Sequence, residues 1–292
     1  MFRLRNGKFT DVPNETEKLD CSNNFILSLE GISPLVNLQE LRCSFNSISS
    51  LKELSSLVKL QELDCYWNSI SSLEGISSLV NLRYLYCSNN SISSLKNLSF
   101  LVNLQRLNCS SNSISSLKGI SSLVNLQRLN CSCNSISSLK ELSSLVNLNT
   151  LWCSNNSISS LKGISTLVNL QELLCSDNSI SSLKGISPLV NLRELWCPHN
   201  SISSLEGISS LADLQKLYIS SNNLRSLKHL PSKVPFCNFK NNPIFSFYEQ
   251  PREYHEVSGT SKFLTFKDER KNPLSYMGLL MEENLHKLYI FF

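Results

Sequence analysis

Apolar residues recur along most of the chain with a fixed period of 22 residues. In the unit from Leu104 to Asn125, the apolar spacing around Leu107 and Cys109 is two, which predicts a short strand. From Ile114 onward the apolar spacing is three, which predicts 3-10 or loose helical turns with eclipsed side chains. Each unit therefore has a strand on one side and a turn-rich segment on the other, and both point their apolar residues inward.

Nine cysteines and ten asparagines keep the same period, and a leucine stands two residues before each of these nine cysteines. The cysteine column contains Cys21, Cys43, Cys65, Cys87, Cys109, Cys131, Cys153, Cys175 and Cys197, with Ile219 in the next place. The asparagine column contains Asn24, Asn46, Asn68, Asn90, Asn112, Asn134, Asn156, Asn178, Asn200 and Asn222. A fixed period in this range indicates a solenoid of stacked units.

The pattern L-x-x-L-x-C-x-x-N-x-I-x-x-L resembles leucine-rich repeats, and it is most similar to the 22-residue subclass of internalins and of a regulatory subunit of protein phosphatase 1. The match covers roughly residues 16 to 244, and the family usually has leucine where this chain has cysteine. The phrase Asn-Ser-Ile-Ser-Ser-Leu is also similar to leucine-rich-repeat proteins of giant DNA viruses. The resemblance implies a right-handed α/β solenoid, an arc with a parallel concave β-sheet and a convex side rich in 3-10 and other turns.

The two ends of the chain depart from the repeat. We expect residues 1–15 to form an N-terminal cap, residues 16–244 to form about ten full repeats and one shortened repeat, and residues 245–292 to form a C-terminal cap. About eleven strands follow from this count. Apolar residues at spacings of three and four predict a terminal helix over Pro273–Phe292. Its apolar end, Tyr289–Phe292, is an alternative docking point for another protein.

The cysteine column predicts buried thiols. Each cysteine alternates with a core leucine, so both side chains face the interior, where a free thiol behaves as a small hydrophobe. Stacked cysteines in register point the same way, and a straight ladder offers no tetrahedral pocket for zinc. We therefore expect no metal and no cofactor, and a reducing, cytoplasmic environment, which is the host-cell cytoplasm for a viral protein. The stacked asparagines are expected to satisfy backbone groups where the chain leaves each strand.

Composition excludes several classes of protein. The formal net charge of +4 is too small to predict nucleic-acid binding, and no run of 18 apolar residues predicts a membrane span. No apolar segment follows the charged N-terminus, so a secretory signal is not expected. Metal-helix, P-loop, dinucleotide-binding and nucleophile-elbow motifs do not occur. We expect a protein that is not an enzyme.

The outward strand positions are the candidate working surface. The turn side of each unit is nearly invariant, whereas the residues flanking the core leucine change from unit to unit and face the open concave surface. All three tryptophans fall on this surface or its rim. Trp, Tyr and Arg dominate protein–protein hot spots. The predicted partner-binding residues are Phe45, Tyr66, Trp67, Tyr84, Tyr86, Arg106, Arg128, Trp152, Glu172, Glu194, Trp196, His199 and Tyr218.

The apolar and aromatic members form two patches. The first contains Phe45, Tyr66, Trp67, Tyr84 and Tyr86, and the second contains Trp152, Leu174, Trp196, His199 and Tyr218. Arg106 and Arg128 make a basic step between the patches, bordered by Glu40 and Glu62 on one side and by Glu172 and Glu194 on the other. The alternative is that the aromatic rings pack on one another and only stiffen the sheet.

We expect a non-enzymatic, monomeric scaffold that binds a protein partner of unknown identity on its concave face, without a small-molecule substrate. One alternative is a structural or assembly component that acts through its ends or its C-terminal helix. A second alternative uses a lysine column on the convex side, which would bind nucleic acid or an anionic surface if it is more than a solubilising stripe. That column contains Lys52, Lys96, Lys118, Lys140, Lys162, Lys184 and Lys228, interrupted by Glu30, Glu74 and Glu206.

Overall fold

The computed structural model describes residues 2–3, 9–246, 255–257 and 261–263. The terminal helix predicted over Pro273–Phe292, and its apolar end, lie outside these described residues. In the part of the chain that is described, twelve short strands form one parallel sheet in sequence order. The strands are β1 Phe2–Arg3, β2 Lys18–Asp20, β3 Glu40–Arg42, β4 Glu62–Asp64, β5 Tyr84–Tyr86, β6 Arg106–Asn108, β7 Arg128–Asn130, β8 Thr150–Trp152, β9 Glu172–Leu174, β10 Glu194–Trp196, β11 Lys216–Tyr218 and β12 Phe236–Asn238.

The register of the sheet follows the sequence period. Leu107 on β6 pairs with Leu129 on β7, 22 residues later, whereas Leu217 on β11 pairs with Cys237 on β12 after only 20 residues. The shortened last unit therefore continues the stack in register. The eleven strands β2–β12 match the expected number, and β1 adds a two-residue strand that the sequence pattern did not predict. Two further strands, β13 His255–Val257 and β14 Ser261–Phe263, form an antiparallel pair.

The turn side contains the predicted 3-10 geometry. Successive i→i−3 bonds run from the Leu54 nitrogen to the Leu51 oxygen at 3.0 Å and from the Leu57 nitrogen to the Leu54 oxygen at 2.9 Å. This pattern explains the apolar spacing of three, since every third side chain then faces the core. The 3-10 helices are Phe9–Asp11, Lys52–Ser56, Lys96–Leu98, Lys140–Leu142, Lys162–Ile164, Lys184–Ile186 and Pro243–Ser246.

The core is a continuous column of leucine, isoleucine and cysteine side chains between the sheet and the turns. All cysteines are free, and all except Cys133 are buried. Burial raises the pKa of the Cys21 and Cys109 thiols to about 12. Phe9 and Val12 join the same core next to the first repeat. The expectation that the cysteine column faces inward is confirmed, and these buried thiols stay protonated near neutral pH.

The asparagine column links neighbouring units through their backbones. The Asn112 side-chain nitrogen donates to the carbonyl oxygens of Cys87 at 3.0 Å, Cys109 at 3.1 Å and Ser110 at 3.0 Å. Its side-chain oxygen accepts a hydrogen bond from the Ile92 nitrogen at 2.9 Å. Each asparagine therefore satisfies backbone groups of two successive turns of the solenoid, which is the structural role that the sequence predicted.

Candidate functional site

The outward columns of the sheet form a continuous exposed surface, here called the sheet face. Residues that flank the core leucine project away from it because side chains alternate along a strand. Trp67 lies just beyond β4 and is 55% exposed. Trp152 on β8 and Trp196 on β10 are half-buried. All three tryptophans therefore lie outside the hydrophobic core, as the sequence pattern indicated.

Three rings at one end of this surface form the N-terminal aromatic cluster, in which Phe45 contacts both Tyr66 and Trp67. The ring centroids of Phe45 and Tyr66 are 4.8 Å apart in an edge-on arrangement, and those of Phe45 and Trp67 are 6.0 Å apart and stacked. Phe45 is 44% exposed. The rings pack on one another yet leave a large part of their surface open to solvent.

Phe45 and Trp67 also hold an unusual backbone conformation. Both lie two residues after the cysteine column, where every repeat turns out of its strand with a positive φ of 52° to 58°. Asparagine, the residue that best tolerates this left-handed region apart from glycine, occupies four of these places, at Asn23, Asn89, Asn155 and Asn241. Bulky aromatic residues are disfavoured there, so their presence at two adjacent repeats needs a reason other than local folding.

Carboxylates at the start of β3 and β4 lie on the same sheet face as the N-terminal aromatic cluster, which follows the ends of these strands. Glu40 is only 7% exposed and pairs with Lys18 at 3.0 Å and with Arg42 at 2.7 Å. Its Oε1 atom has no hydrogen bond of good geometry, but the 2.7 Å contact with Arg42 pairs the charge. Burial raises the pKa of Glu62, and the charge of Glu40 raises it further, while Arg42 at 3.9 Å opposes the shift.

Asp64 joins these carboxylates to the aromatic rings. Its Oδ1 atom accepts hydrogen bonds from the Ser44 hydroxyl at 2.7 Å and from the Tyr66 nitrogen at 3.4 Å. Burial raises the pKa of Asp64, and these two bonds oppose the rise. Burial also raises the pKa of the Tyr66 phenol, with the charge of Asp64 as a second cause. The carboxylate and the ring are therefore electrostatically coupled.

Tyr84 and Tyr86 occupy the next strand, beside a single arginine. The Arg106 guanidinium lies 5.5 Å from the centre of the Tyr84 ring, within cation–π range. The Tyr84 hydroxyl donates to the Gln105 side-chain oxygen at 3.4 Å. Burial raises the pKa of Tyr86, while a hydrogen bond with Arg106 opposes the rise. Contacts with Arg106 and Gln105 therefore orient the Tyr84 side chain, and Arg106 also contacts Tyr86.

The second predicted patch is more internally paired. The ring centroids of Trp196 and Tyr218 are 3.8 Å apart and stacked. The Trp152 indole nitrogen donates to Glu172 at 3.0 Å, and the Trp196 indole nitrogen donates to Glu194 at 3.2 Å. Lys216 also donates to Glu194, at 2.8 Å. The packing that the stiffening alternative requires is therefore present in this patch.

The remaining predicted residues flank this second patch. Burial raises the pKa of Glu172, while its bond from Trp152 and the charge of Arg128 oppose the rise. Leu174 is half-buried on β9 and pairs in register with Trp152 and Trp196. His199 is exposed in the column of positive φ. Arg128 is exposed on β7, so the basic step lies between the two patches as expected.

The sequence analysis missed a polar groove at the edge where the strands begin. The groove has a volume of about 1040 Å³. It is lined by Gln39, Lys59, Gln61, Asn81, Arg83, Asn103, Gln105, Asn125, Gln127, Asn147 and Asn149. The glutamine and asparagine side chains of the groove also recur with the 22-residue period. The sequence pattern alone does not show that they line a common groove. The exposed Phe25, at 90%, was also missed because it lies in the least regular repeat.

The convex lysine column is exposed to solvent. Lys52 pairs with Glu74 at 3.3 Å, and Lys184 pairs with Glu206 at 3.0 Å. Within the described residues, no group of three or more histidine, cysteine, aspartate or glutamate side chains is arranged to hold a metal ion. The described residues also contain no helix with the length and hydropathy needed to cross a bilayer.

A family profile described as leucine rich repeats (2 copies) matches residues 36–79, 58–100, 102–144, 124–165 and 190–232, which together make up more than half of the chain. Among curated protein sequences, none matches significantly. The repeat subclass suggested by the sequence fits these findings, whereas they give no support to a viral origin.

Many solved structures are similar to this chain. An internalin C2 from Listeria monocytogenes is 32% identical, with a TM-score of 0.58, and the match covers 60% of this chain and 78% of that chain. The functional domain of InlJ from Listeria monocytogenes is 27% identical, with a TM-score of 0.61 and coverage of 77% and 54%. That domain includes a cysteine ladder, a feature similar to the buried cysteine column here.

A plant structure shares the fold at lower identity. It is the leucine-rich-repeat ectodomain of the receptor kinase GASSHO1/SCHENGEN3 from Arabidopsis thaliana, in complex with CASPARIAN STRIP INTEGRITY FACTOR 2. The two chains are 24% identical, with a TM-score of 0.66 and coverage of 77% of this chain and 30% of that chain. At this identity the likeness concerns the fold alone.

Proposed function

Because the chain belongs to the leucine-rich-repeat family, we propose that it is a non-enzymatic scaffold that binds a protein partner on the sheet face. Proteins built from these repeats are generally interaction scaffolds. The observation that carries the proposal is the position of all three tryptophans on the sheet face rather than in the core. Exposed aromatic clusters mark interaction sites because they supply large contact areas with a polar handle.

The rigidity of the surface supports the same proposal. The sheet-face side chains stand on strands that are hydrogen-bonded in register from β2 to β12, and the asparagine column fixes the turn behind each strand. Little conformational freedom is therefore lost when a partner binds, which favours affinity. Conversely, the convex side repeats nearly the same residues in each turn, so it offers little to distinguish one partner from another.

Affinity capture with matched variants tests the proposal. Wild-type protein is compared with Trp67→Asn, with the double variant Trp152→Ala/Trp196→Ala, and with a convex-side control, Lys118→Ala. We expect the control to retain the partners of the wild type and the sheet-face variants to lose them. If both sheet-face variants retain every partner, the proposal is wrong. Replacement of Tyr289–Phe292 by serines tests the alternative that the C-terminal end makes the contact.

We further propose that the protein works in a reducing compartment. The support is that all eleven cysteines are free and that burial raises the pKa of most of their thiols, so none depends on a disulfide. Protein isolated from its source without reductant, denatured and alkylated, is expected to carry eleven adducts by mass spectrometry. Pairs of missing adducts would indicate disulfides and contradict this proposal.

A further inference from the structure

Resting on the proposed function, we propose that the N-terminal aromatic cluster and the carboxylates of β2–β4 dock an extended, arginine-bearing segment of the partner protein. The site comprises the rings of Phe45, Tyr66 and Trp67 and the acidic groups of β2–β4. The two aromatic patches of the sheet face then have different roles, because only in this one are two rings, those of Phe45 and Trp67, about half exposed.

The rings of Phe45 and Trp67 keep a large exposed surface despite their contacts within the chain. In the second patch, Trp152 and Trp196 donate their indole nitrogens to glutamates. The indole nitrogen of Trp67 has no acceptor among the described residues, and Trp67 is 55% exposed. One face and one donor are therefore available to a ligand. A backbone carbonyl of a bound extended segment is a suitable acceptor for that donor.

The positive φ of Phe45 and Trp67 also supports a docking role for their rings. Trp67 has a φ of 52° and Phe45 has a φ of 53°, in a column where four other repeats have asparagine. A bulky side chain in this region is disfavoured relative to asparagine. The two aromatic residues therefore occupy places where the fold itself would favour a small polar residue, and a contact outside the chain accounts for them.

Charge identifies the occupant as a cation. The outward positions of β2, β3 and β4 hold four carboxylates but only two cationic side chains, so their formal net charge is −2. The carboxylates are Asp20, Glu40, Glu62 and Asp64, and the cations are Lys18 and Arg42. Glu62 is partly buried next to Glu40, which raises its pKa, so a further positive charge at this place is favourable.

Arginine fits this combination better than lysine. A guanidinium stacks on an aromatic face and binds a carboxylate through two parallel hydrogen bonds, whereas an ammonium does neither as well. Asp64 contacts Tyr66, and Tyr66 contacts Phe45, so carboxylate and rings form one continuous surface. Strands β2 to β4 span about 10 Å, which three residues of an extended segment cover. Nucleic acids and anionic membranes are disfavoured here because the surface repels negative charge.

Selection from a random twelve-residue peptide library on immobilised full-length protein tests the inference. We expect the recovered peptides to be enriched in arginine and to be lost when the Phe45→Asn/Trp67→Asn variant is used. Ser111→Asn and Cys133→Asn are matched controls, since they place asparagine in the same column elsewhere, and they should retain the peptides. Recovery of acidic or uncharged peptides, or of none, would overturn the inference.

The affinity of one selected peptide gives the quantitative test. Replacing its arginines by citrulline, which keeps the shape and removes the charge, is expected to weaken binding at least about tenfold. Glu62→Gln/Asp64→Asn and 0.5 M salt should each weaken it about threefold or more. An affinity that is indifferent to citrulline contradicts the inference.

The proposal of a protein-binding sheet face and the proposal of an arginine-docking site predict different results when either one is wrong. If peptides without arginine bind and are lost with Trp152→Ala/Trp196→Ala, the sheet face binds protein but this docking site is wrong. If no sheet-face variant affects any peptide, both proposals are wrong. Circular dichroism of each variant at the assay temperature establishes that it is folded.

Discussion

The side-chain amide of Asn112 donates a hydrogen bond to the carbonyl oxygen of Cys87, one repeat earlier, at 3.0 Å. The same amide satisfies two carbonyls of its own repeat and accepts one backbone N–H of the preceding repeat. Four backbone groups thus depend on one side chain. Since the arrangement recurs from Asn46 to Asn222, this column holds successive turns at a fixed separation.

Substitution of Asn112 by alanine is expected to reduce the free energy of unfolding by about 3–5 kcal/mol, because several backbone groups lose their partners together. Asn125→Ala is the matched control. Asn125 is exposed and makes a single hydrogen bond, to the Val102 oxygen at 2.9 Å, so its loss should reduce the free energy of unfolding by less than about 1 kcal/mol. Urea unfolding followed by circular dichroism measures both values. Equal effects would show that the asparagine column has no special structural role.

The column of positive φ predicts a gain in stability. Ser111 has a φ of 52° in a place where asparagine is better tolerated. We expect Ser111→Asn to raise the free energy of unfolding by about 0.5 kcal/mol, and the β-branched Ser111→Val to lower it by about 1–2 kcal/mol. Thermal and urea unfolding of the three proteins check the order. A Val variant as stable as the Asn variant would contradict the strain assigned to this column.

The sequence predicted the solenoid, the inward cysteines and the asparagine ladder because each depends on a periodicity that one chain displays many times. Leu107 and Cys109 alternate as in a strand, and the structure places both in the core. The positive φ of Phe45 and Trp67 could not be predicted, since their residue types disfavour it. The hydrogen bonds from the indole nitrogens of Trp152 and Trp196 to glutamates could not be predicted either. They depend on contacts between individual side chains, which the 22-residue period does not specify.

Two glycines on the turn side, Gly119 and Gly31, both have a positive φ, but only Gly119 is closely packed against the preceding repeat. A Cβ added to Gly119, which has a φ of 104°, would lie 2.5 Å from the Leu95 oxygen of the preceding repeat. Gly31 also has a positive φ, of 88°, but its nearest neighbour would be the Phe9 Cβ at 3.8 Å. We expect Gly119→Ala to reduce the free energy of unfolding by about 2–4 kcal/mol and Gly31→Ala by about 1 kcal/mol.

Comparable losses at Gly119 and Gly31 would mean that the close approach between repeats contributes nothing, and that backbone strain alone determines the effect. Urea unfolding at one temperature gives both values.

Thiol accessibility should differ sharply between one cysteine and the rest. Cys133 is half-buried at the rim of the sheet face, whereas the other ten cysteines are buried. A thiol-specific chromogenic reagent is therefore expected to modify one thiol per folded chain rapidly, and all eleven after denaturation in guanidinium chloride. Cys133→Ser should abolish the rapid phase. Rapid modification of several thiols in the folded protein would contradict the inward orientation of the cysteine column.

The buried thiols also predict how stability depends on pH. Burial raises the pKa of Cys109 to about 12 in the folded protein, while an exposed thiol has a pKa of about 8.5. The folded state therefore binds this proton more tightly than the unfolded state. The stabilisation is fully present below about pH 8.5 and is lost as the pH rises toward about 12. Between these pH values, a buried thiol such as Cys109 lowers the free energy of unfolding by about 1.4 kcal/mol for each unit that the pH rises.

Replacement of Cys109 by alanine should make this alkaline fall shallower by the contribution of one thiol. Leu107→Ala, a core variant without a titrating group, should lower stability at every pH and leave the slope unchanged. Urea unfolding from pH 8 to pH 10 gives the two slopes. An unchanged slope in Cys109→Ala would mean that this thiol ionises without unfolding, which is incompatible with its burial between the Leu107 strand and the turns.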